Sequence, residues 1–409
     1  MKVLVIVVNR LRPDFLGCYG CDWHVTPAFD RLASEGVVFD QHFADSPRPR
    51  ATRRSWRWGD YGWSPDAALH PGLAGLLWNT GVKTWLIADE RSPSFGHGFA
   101  SGWQRAHWVR EHDLKALEQE HLLGGTIQLA VDWLGQHSRE DNWLLWLELS
   151  SVPLPWNEAE AKAESDVEGG DAEEGEPPLW FNPPDGPLDE ASDPEALERL
   201  QNSYAAMVRG VDDWLGQLFD LLREKGLYDD LCILLTGDCG LPLGDHGQVG
   251  DSQPLMHEEL LHVPLLLRLP RAEHAGRRVA AFTQSVDLLP TLAELFELPA
   301  RETDGSVPRV LQPGQSLLPL ARGESAKPRE FVCSGLHPRH AAQWSIRTRE
   351  WHFILAPPPL ESGTLSKSDG NQLYVKPEDR WEVNNVRTQH AEIADQLELK
   401  LRRFLAGDG

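Results

Sequence analysis

The first apolar run, Val3 to Val8, is six aliphatic residues long, mostly β-branched, and does not alternate with polar ones. It stops at Asn9-Arg10, and Pro13, Gly17 and Gly20 follow. A short unbroken run of this kind predicts a strand buried on both faces, at the centre of a parallel sheet covered by helices. Lys83 to Ala88, Trp143 to Leu149, Asp230 to Leu235 and His262 to Pro270 read the same way. Between them the apolar positions take helical spacing. One helix fills 26–36, with Thr26 as N-cap, Pro27 in the first turn and Gly36 as the stop. Others run from Leu73 to Trp78, Thr126 to Gln136, Pro194 to Lys225 (stopped by Gly226) and Asp287 to Phe296. Strand alternating with helix predicts an α/β fold with a large, mostly parallel sheet between helices.

The pattern changes past residue 322. Ala341 to Arg347 and Trp351 to Leu355 alternate with period two, Gln372 to Tyr374 is a further strand, and Ala391 to Leu405 is a helix. These predict a small C-terminal α+β domain, an antiparallel sheet plus a helix, over 323–409. The Pro- and Gly-rich stretch 301–322 closes the first domain, 1–322, and marks the seam.

Composition narrows the function classes. The 409 residues carry 39 basic and 62 acidic groups, a formal charge of -23. That weighs against nonspecific binding to nucleic acid or anionic membrane. Residues 157–176 hold nine acidic residues and one lysine. Proline and more acid continue to 195, so 157–195 reads as a mobile acidic insert that cannot bury enough apolar area to order itself. No stretch reaches the length of a membrane span, and the first apolar run is too short for a secretory signal. With five cysteines, an odd number, reduced thiols and a cytoplasmic location are the expectation. Cys18 and Cys21 form a C-x-x-C pair, without a second pair at zinc spacing. The 17 tryptophans against five tyrosines have no explanation in the sequence alone.

In open α/β sheets the chemistry gathers past the carboxyl ends of the strands, which places Asn9 and Arg10 at the floor of the site. A second candidate is arginine-rich. Arg48, Arg50, Arg53, Arg54 and Arg57 fall within ten residues, interleaved with Trp56 and Trp58. Guanidinium forks match sulfate, phosphate and carboxylate oxygens, and indoles stack on sugars.

Several ordered segments resemble the sulfatase family, within the alkaline-phosphatase superfamily. Arg12-Pro13-Asp14, Leu16-Gly17 and Tyr19-Gly20 match its "R-P-D-x-L-G-x-Y-G". Thr26 to Phe39 follows its "T-P-N-L-D-R-L-A-x-E-G-V-x-F". Thr236 to Gly247 is similar to "T-S-D-H-G-x-x-x-G-x-H-G", and Glu258 to Arg268 to "E-E-x-x-R-V-P-L-x-x-R". Asp287 to Leu292, Gly314 to Leu320 and the closing Leu373-Tyr374…Glu382…Asn384-Asn385 agree with later signposts. The resemblance implies the family fold and a sulfuric ester hydrolase site. Such a site has a divalent cation, usually calcium, a cysteine-derived formylglycine nucleophile, cationic sulfate-binding side chains and a histidine acid.

Position by position, that chemistry is missing. Asn9 and Arg10 stand where the family has two metal-binding aspartates. A cation at ~4 Å from a bound cation is opposed by about 4 kcal/mol per pair of unit charges at an effective dielectric of 20. Asp238 matches a metal ligand, but Cys239 replaces its neighbour, and a thiol is too soft for calcium. In the nucleophile motif, Arg53 is the retained residue and Pro49 occupies the nucleophile position; framed on Arg50 instead, Ser46 takes that place. The family's "G-K-W-H" becomes Ala88-Asp89-Glu90-Arg91, its "P-H-x-P" becomes Val152-Pro153-Leu154-Pro155, and a later lysine becomes Asp251.

Two readings of different class follow. The favoured one is a catalytically degenerate pseudo-sulfatase that needs no cofactor. It would bind a protein partner, or a sulfated or phosphorylated sugar-like ligand through Arg48, Arg50, Arg53 and Arg54. The competing one is an active sulfatase or phosphoesterase with a rebuilt, softer metal site. That site would use Asn9 and Asp238, with Cys239, His246 or His257, to hold zinc. Considered alone, His246 and His257 read as turn and surface histidines. The arginines have a simpler reading as ion-pair partners of the acidic insert, Asp89 or Asp251.

Overall fold

The computed structural model describes residues 1–64, 72–95, 98–119, 121–150, 152, 156, 186–188, 194–250, 256–298, 313–325, 327–336, 343–356 and 370–407. Asp251, Pro153–Pro155, most of the predicted acidic insert and most of the 301–322 seam lie outside these residues.

Fourteen strands are described: β1 (Lys2–Val8), β2 (Val37–Phe43), β3 (Lys83–Asp89), β4 (Arg105–Val109), β5 (Trp143–Leu149), β6 (Gly186–Pro187), β7 (Cys232–Gly237), β8 (Gln248–Val249), β9 (Leu265–Arg268), β10 (Arg277–Gln284), β11 (Phe331–Gly335), β12 (Trp344–Thr348), β13 (Trp351–Leu355) and β14 (Gln372–Val375). Eight of them form the main sheet in the order β10-β2-β9-β7-β1-β5-β3-β4. Every pairing in it is parallel except those of β9, which runs against both β7 and β2. The first apolar run is thus the inner strand the pattern predicts, parallel to β5 on one side and β7 on the other.

Both faces of β1 are covered, which is why its sequence does not alternate. Leu4, Ile6 and Val8 face the helices α1 (Pro27–Ser34), α4 (Leu122–His137) and α5 (Pro194–Glu224). Val3, Val5 and Val7 face α2 (Pro49–Trp58), α3 (Gly72–Asn79), α6 (Leu288–Leu295) and α7 (Leu318–Arg322). Burying side chains of this size stabilises by roughly 1.5–3 kcal/mol each before conformational entropy is counted. Part of the tryptophan content belongs to the same two layers. Trp146 of β5 packs with Trp56, Phe99 and Trp103 on one face, and Trp143 meets Trp133 on the other.

The predicted start and stop of α1 have different causes from those expected. Thr26 precedes the helix, but its hydroxyl accepts the Gly17 N–H instead of capping. Asp212 of α5 caps the helix, accepting the N–H groups of Ala28 and Phe29 at 3.0 and 2.8 Å. Gly36 is required by close approach: a Cβ there would lie 2.9 Å from the Leu267 carbonyl oxygen.

The C-terminal strands form a four-stranded antiparallel sheet, β11-β12-β13-β14, backed by α8 (Ala391–Ala406). A shared apolar cluster of Phe43, Met256, Leu261, Phe282, Val332, Leu336, Ile354 and Tyr374 joins this sheet to the main one. Among the described residues no helix is long and apolar enough to cross a membrane.

Candidate functional site

The carboxyl ends of β1 and β7 lie side by side, and there the backbone bends sharply. Arg10 sits in the left-handed region (φ 62°), costly for a non-glycine residue by roughly 1–3 kcal/mol. Its backbone groups are nevertheless satisfied. The N–H donates to Asp238 Oδ1 at 2.9 Å, and the carbonyl accepts the Tyr204 hydroxyl at 2.7 Å. The Arg10 guanidinium turns back across the strand ends, donating from Nη1 to the Gly240 carbonyl (2.9 Å) and to Cys239 Sγ (3.2 Å).

Asp238 is completely buried, and both of its oxygens are engaged. Oδ1 accepts the N–H groups of Arg10 and Cys239; Oδ2 accepts the Asn9 amide at 3.1 Å and Arg53 Nη1 at 2.8 Å. Burial works to raise this carboxyl, but Arg53 and then Arg10 outweigh it and hold it below the ordinary aspartate value. The Asn9 oxygen accepts the Ser150 hydroxyl at 2.7 Å. Burial pushes the Cys239 thiol up to about 12, so it stays protonated near neutral pH.

Arg53 comes from the other layer. Helix α2 follows β2 and projects it under the strand ends, where it is 2% exposed. Besides Asp238, it pairs with Glu148 of β5 through Nη2 at 2.9 Å. Glu148 is also buried and accepts from Ser92, Ser94 and the Trp146 indole. Burial would lower the Arg53 guanidinium; Glu148 and Asp238 reverse that and raise it above its ordinary range. The residue sequence reasoning missed here is Glu148. The signal was present: a lone carboxylate inside the apolar run Trp143–Leu149 must meet a buried cation.

The remaining arginines part ways. Arg53 is committed to its two carboxylates, and Arg50 is exposed on the first turn of α2. Arg48 precedes that helix, half-buried, and among the described residues pairs with no carboxylate. Burial and then the nearby Arg10 lower its pKa. Arg54 is partly buried in α2 and has a partner of its own. Pro49 is the first residue of α2, where a missing N–H is harmless and its fixed φ suits the turn. Of the partners in the simpler reading of the arginines, Asp89 accepts the Arg91 N–H at Oδ1, while Asp251 and most of the acidic insert lie outside the described residues.

A second buried polar cluster lies between the two sheets. His257 is 6% exposed, which corrects its reading as a surface histidine. Its Nδ1 lies 2.8 Å from Glu382 Oε2, and its ring stacks on that of His246 with centroids 3.6 Å apart. His246 meets Glu259 through Nδ1 and the Glu382 carbonyl through Nε2. Lys376 lies 2.9 Å from Glu382 Oε1, beside His352. The closing segment that carries Glu382 was visible in the sequence, but nothing there paired it with two histidines.

With that geometry established, known proteins can be set beside it. The family model described as Sulfatase matches residues 2–298. The chain belongs to the sulfatase family. A relative, the multifunctional alkaline phosphatase superfamily protein PehA of Trinickia caryophylli, is 33% identical over 31% of this chain and 23% of its own length. The N-acetylglucosamine-6-O-sulfatase of Bacteroides thetaiotaomicron is 31% identical over 46% of this chain and 32% of its own. The chain therefore spans about a quarter to a third of the length of these curated relatives. Among solved structures, a phosphonate monoester hydrolase of Agrobacterium radiobacter superposes with TM-score 0.73, 20% identity and coverage of 100% of this chain and 96% of the other. A structure solved in complex with its substrate D-glucosamine-2-N,6-O-disulfate gives TM-score 0.70 at 18% identity, covering 98% and 97%. These last two establish the shared fold.

Sulfatases usually hold calcium, which needs six to eight oxygen ligands at about 2.3–2.6 Å. The side chains at the end of β1 do not fit it. The Asn9 oxygen and both Asp238 oxygens have donors on them already, Cys239 offers a protonated sulfur, and two guanidiniums reach the same carboxylate neighbourhood. Zinc fits no better, since the same oxygens already carry donors and the Cys239 sulfur accepts from Arg10.

Proposed function

We propose that this chain is a catalytically degenerate member of the sulfatase family that binds an anionic, sulfated or phosphorylated ligand at the old strand-end pocket. The observation that carries the reading is the occupation of Asp238. Arg53, the Asn9 amide and two backbone N–H groups take the places that a hydrolase would leave for its cation. Sulfate ester cleavage also needs a nucleophile, and Pro49 has no group to supply one. What survives of the pocket's chemistry is positive charge. Arg48 lies near Arg10, half-buried, at the mouth of α2. Neighbouring guanidiniums repel each other, and their planar forks suit tetrahedral oxyanions. A sugar sulfate of the kind named for one of the structural neighbours is the ligand class this reading favours.

The test is thermal. Glucosamine 6-sulfate and inorganic phosphate are expected to raise the unfolding midpoint of the wild-type chain, with no cleavage of an aryl sulfate in the presence or absence of calcium. Arg48→Ala should abolish the stabilisation. Metal-dependent turnover of the aryl sulfate, lost in Asp238→Asn, would sink the reading and restore the active-hydrolase alternative.

A further inference from the structure

We propose that His246, His257 and Glu382 form a binding site for one zinc-class divalent cation at the junction of the two sheets, with Glu259 as the fourth ligand. The site is separate from the family's metal position at the end of β1. Its ligands come from three segments: the turn after β7, the residue before the single helical turn Glu258–Leu261, and the loop after β14. One ligand atom from each of His246, His257 and Glu382 lies within 4.8 Å of the others. Two imidazoles with carboxylate oxygens select zinc and its first-row neighbours over calcium or magnesium.

Two further observations point to a cation. Glu259 presents Oε2 to His246, while its Oε1 is buried and has no hydrogen-bond partner among the described residues. A buried carboxylate oxygen left that way costs about 1–3 kcal/mol, which a metal bond would remove. The cluster also has an entrance. A cleft of about 30 Å³, space for one water or one ion, is lined by Arg12, Asp14, His246, Glu258, Glu259 and Glu382.

The two oxygens of Glu382 divide the work. Oε1 is held by Lys376 and His352, so it stays a structural anchor. Oε2 faces His257 Nδ1 at 2.8 Å, accepts the Glu258 N–H at a longer 3.2 Å, and is the oxygen a metal would take. Binding displaces the proton between His257 Nδ1 and Glu382 Oε2 and one further proton from the His246 ring, both released to solvent; no redox change is involved. Zinc bonds of about 2.0–2.2 Å place tetrahedral ligand atoms roughly 3.3–3.5 Å apart. The stacked rings must therefore rotate out of register, a movement open to His246, whose side chain is 17% exposed. Lys376, Arg347 and Glu258 supply the surrounding polar shell. A metal held there would staple the C-terminal sheet to the main one.

The experiment uses the full chain, stripped with chelator and titrated with zinc against a chromophoric competitor. Wild type is expected to bind one equivalent, with His246→Gln and His257→Gln each weakening it at least tenfold and Cys239→Ser and a Cys18→Ser/Cys21→Ser pair leaving it unchanged. Cobalt in place of zinc should show ligand-field bands without the sulfur-to-metal charge transfer of a thiolate site. Buried His257 could be needed for folding, so the more exposed His246→Gln, checked by its metal-free unfolding midpoint, decides the matter by itself. Absence of stoichiometric zinc, zinc affinity equal in wild type and His246→Gln, or loss of binding in the cysteine variants would each overturn the proposal. None of these outcomes bears on whether the strand-end pocket takes an anion.

Discussion

Asp238 at the end of β7 and Glu382 beneath the C-terminal sheet are both almost wholly buried carboxylates, yet they are neutralised by different means. Asp238 meets a permanent cation, Arg53, with amide donors filling the rest of its valence. Glu382 meets two histidines and a lysine, groups that can exchange a proton for something else. Arginine holds its charge at any physiological pH and cannot be displaced by mass action, so the first centre is fixed. Histidine is both a proton carrier and a metal ligand, so the second is adaptable. One buried carboxylate is thus locked by arginine while groups able to ligate a metal surround the other.

The largest effect should come from opening the fixed centre. Arg53→Ala removes one cation from two buried carboxylates, Asp238 and Glu148, and is expected to cost about 3–5 kcal/mol of unfolding free energy. Urea denaturation would measure it. A loss below 1 kcal/mol would mean that the carboxylates find other partners, and the contrast with Glu382 would fail.

Restoring the family's acids should turn the fixed centre into a labile one. In Asn9→Asp/Arg10→Asp the new carboxylates meet Asp238 without the Arg10 guanidinium, and aspartate tolerates the left-handed backbone at position 10 better than most residues. Calcium at 100 times its dissociation constant would then stabilise by about 2.7 kcal/mol, while wild type should not respond. Calorimetry with and without calcium reads the difference. A wild-type midpoint that rises as much as the variant's would show that the arginines never excluded the ion.

A pH profile gives a finer distinction. The folded-state pKa of Asp238 is depressed, so its stabilising contribution is present above its unfolded value near 3.9 and is lost as pH falls through the lower folded value. The stability difference between wild type and Asp238→Asn should be flat from pH 5 to 8 and shrink only below about pH 4. A slope between pH 6 and 8 would assign a titrating group to the centre described as fixed.

These contrasts also show what the sequence could and could not disclose. The core position of β1 was legible because burial on both faces leaves an unbroken aliphatic run. Five of the sheet's eight strands followed from such runs, and β2, β4 and β10 were not among them; β4 and β10 are partly exposed, and Arg277, Arg278, Arg105 and His107 break the apolar pattern. The losses at Asn9, Arg10 and Pro49 could be read residue by residue. What fills the space they leave could not, because Arg53 and Glu148 are separated by 95 residues and meet only through the packing of α2 on β5. His257 was misjudged for a similar reason. A histidine beside glutamates in a turn segment looks solvated until a distant loop lowers Glu382 onto it.

The smallest expected effect separates the arginines that sequence spacing had grouped together. Arg50 is exposed and Arg48 half-buried, so removing either should change unfolding free energy by no more than about 0.5 kcal/mol. Stability alone will not tell them apart, but ligand response will. Burial and then the nearby Arg10 lower the Arg48 pKa, so an oxyanion beside the pair relieves a repulsion; Arg50 stands exposed on the first turn of α2. Arg48→Ala should therefore lose the midpoint shift given by glucosamine 6-sulfate, and Arg50→Ala should keep it. Equal losses in both variants would place the anion on the outer turn of α2, away from the strand ends. The fixed centre would then be a structural ion-pair network with no ligand of its own.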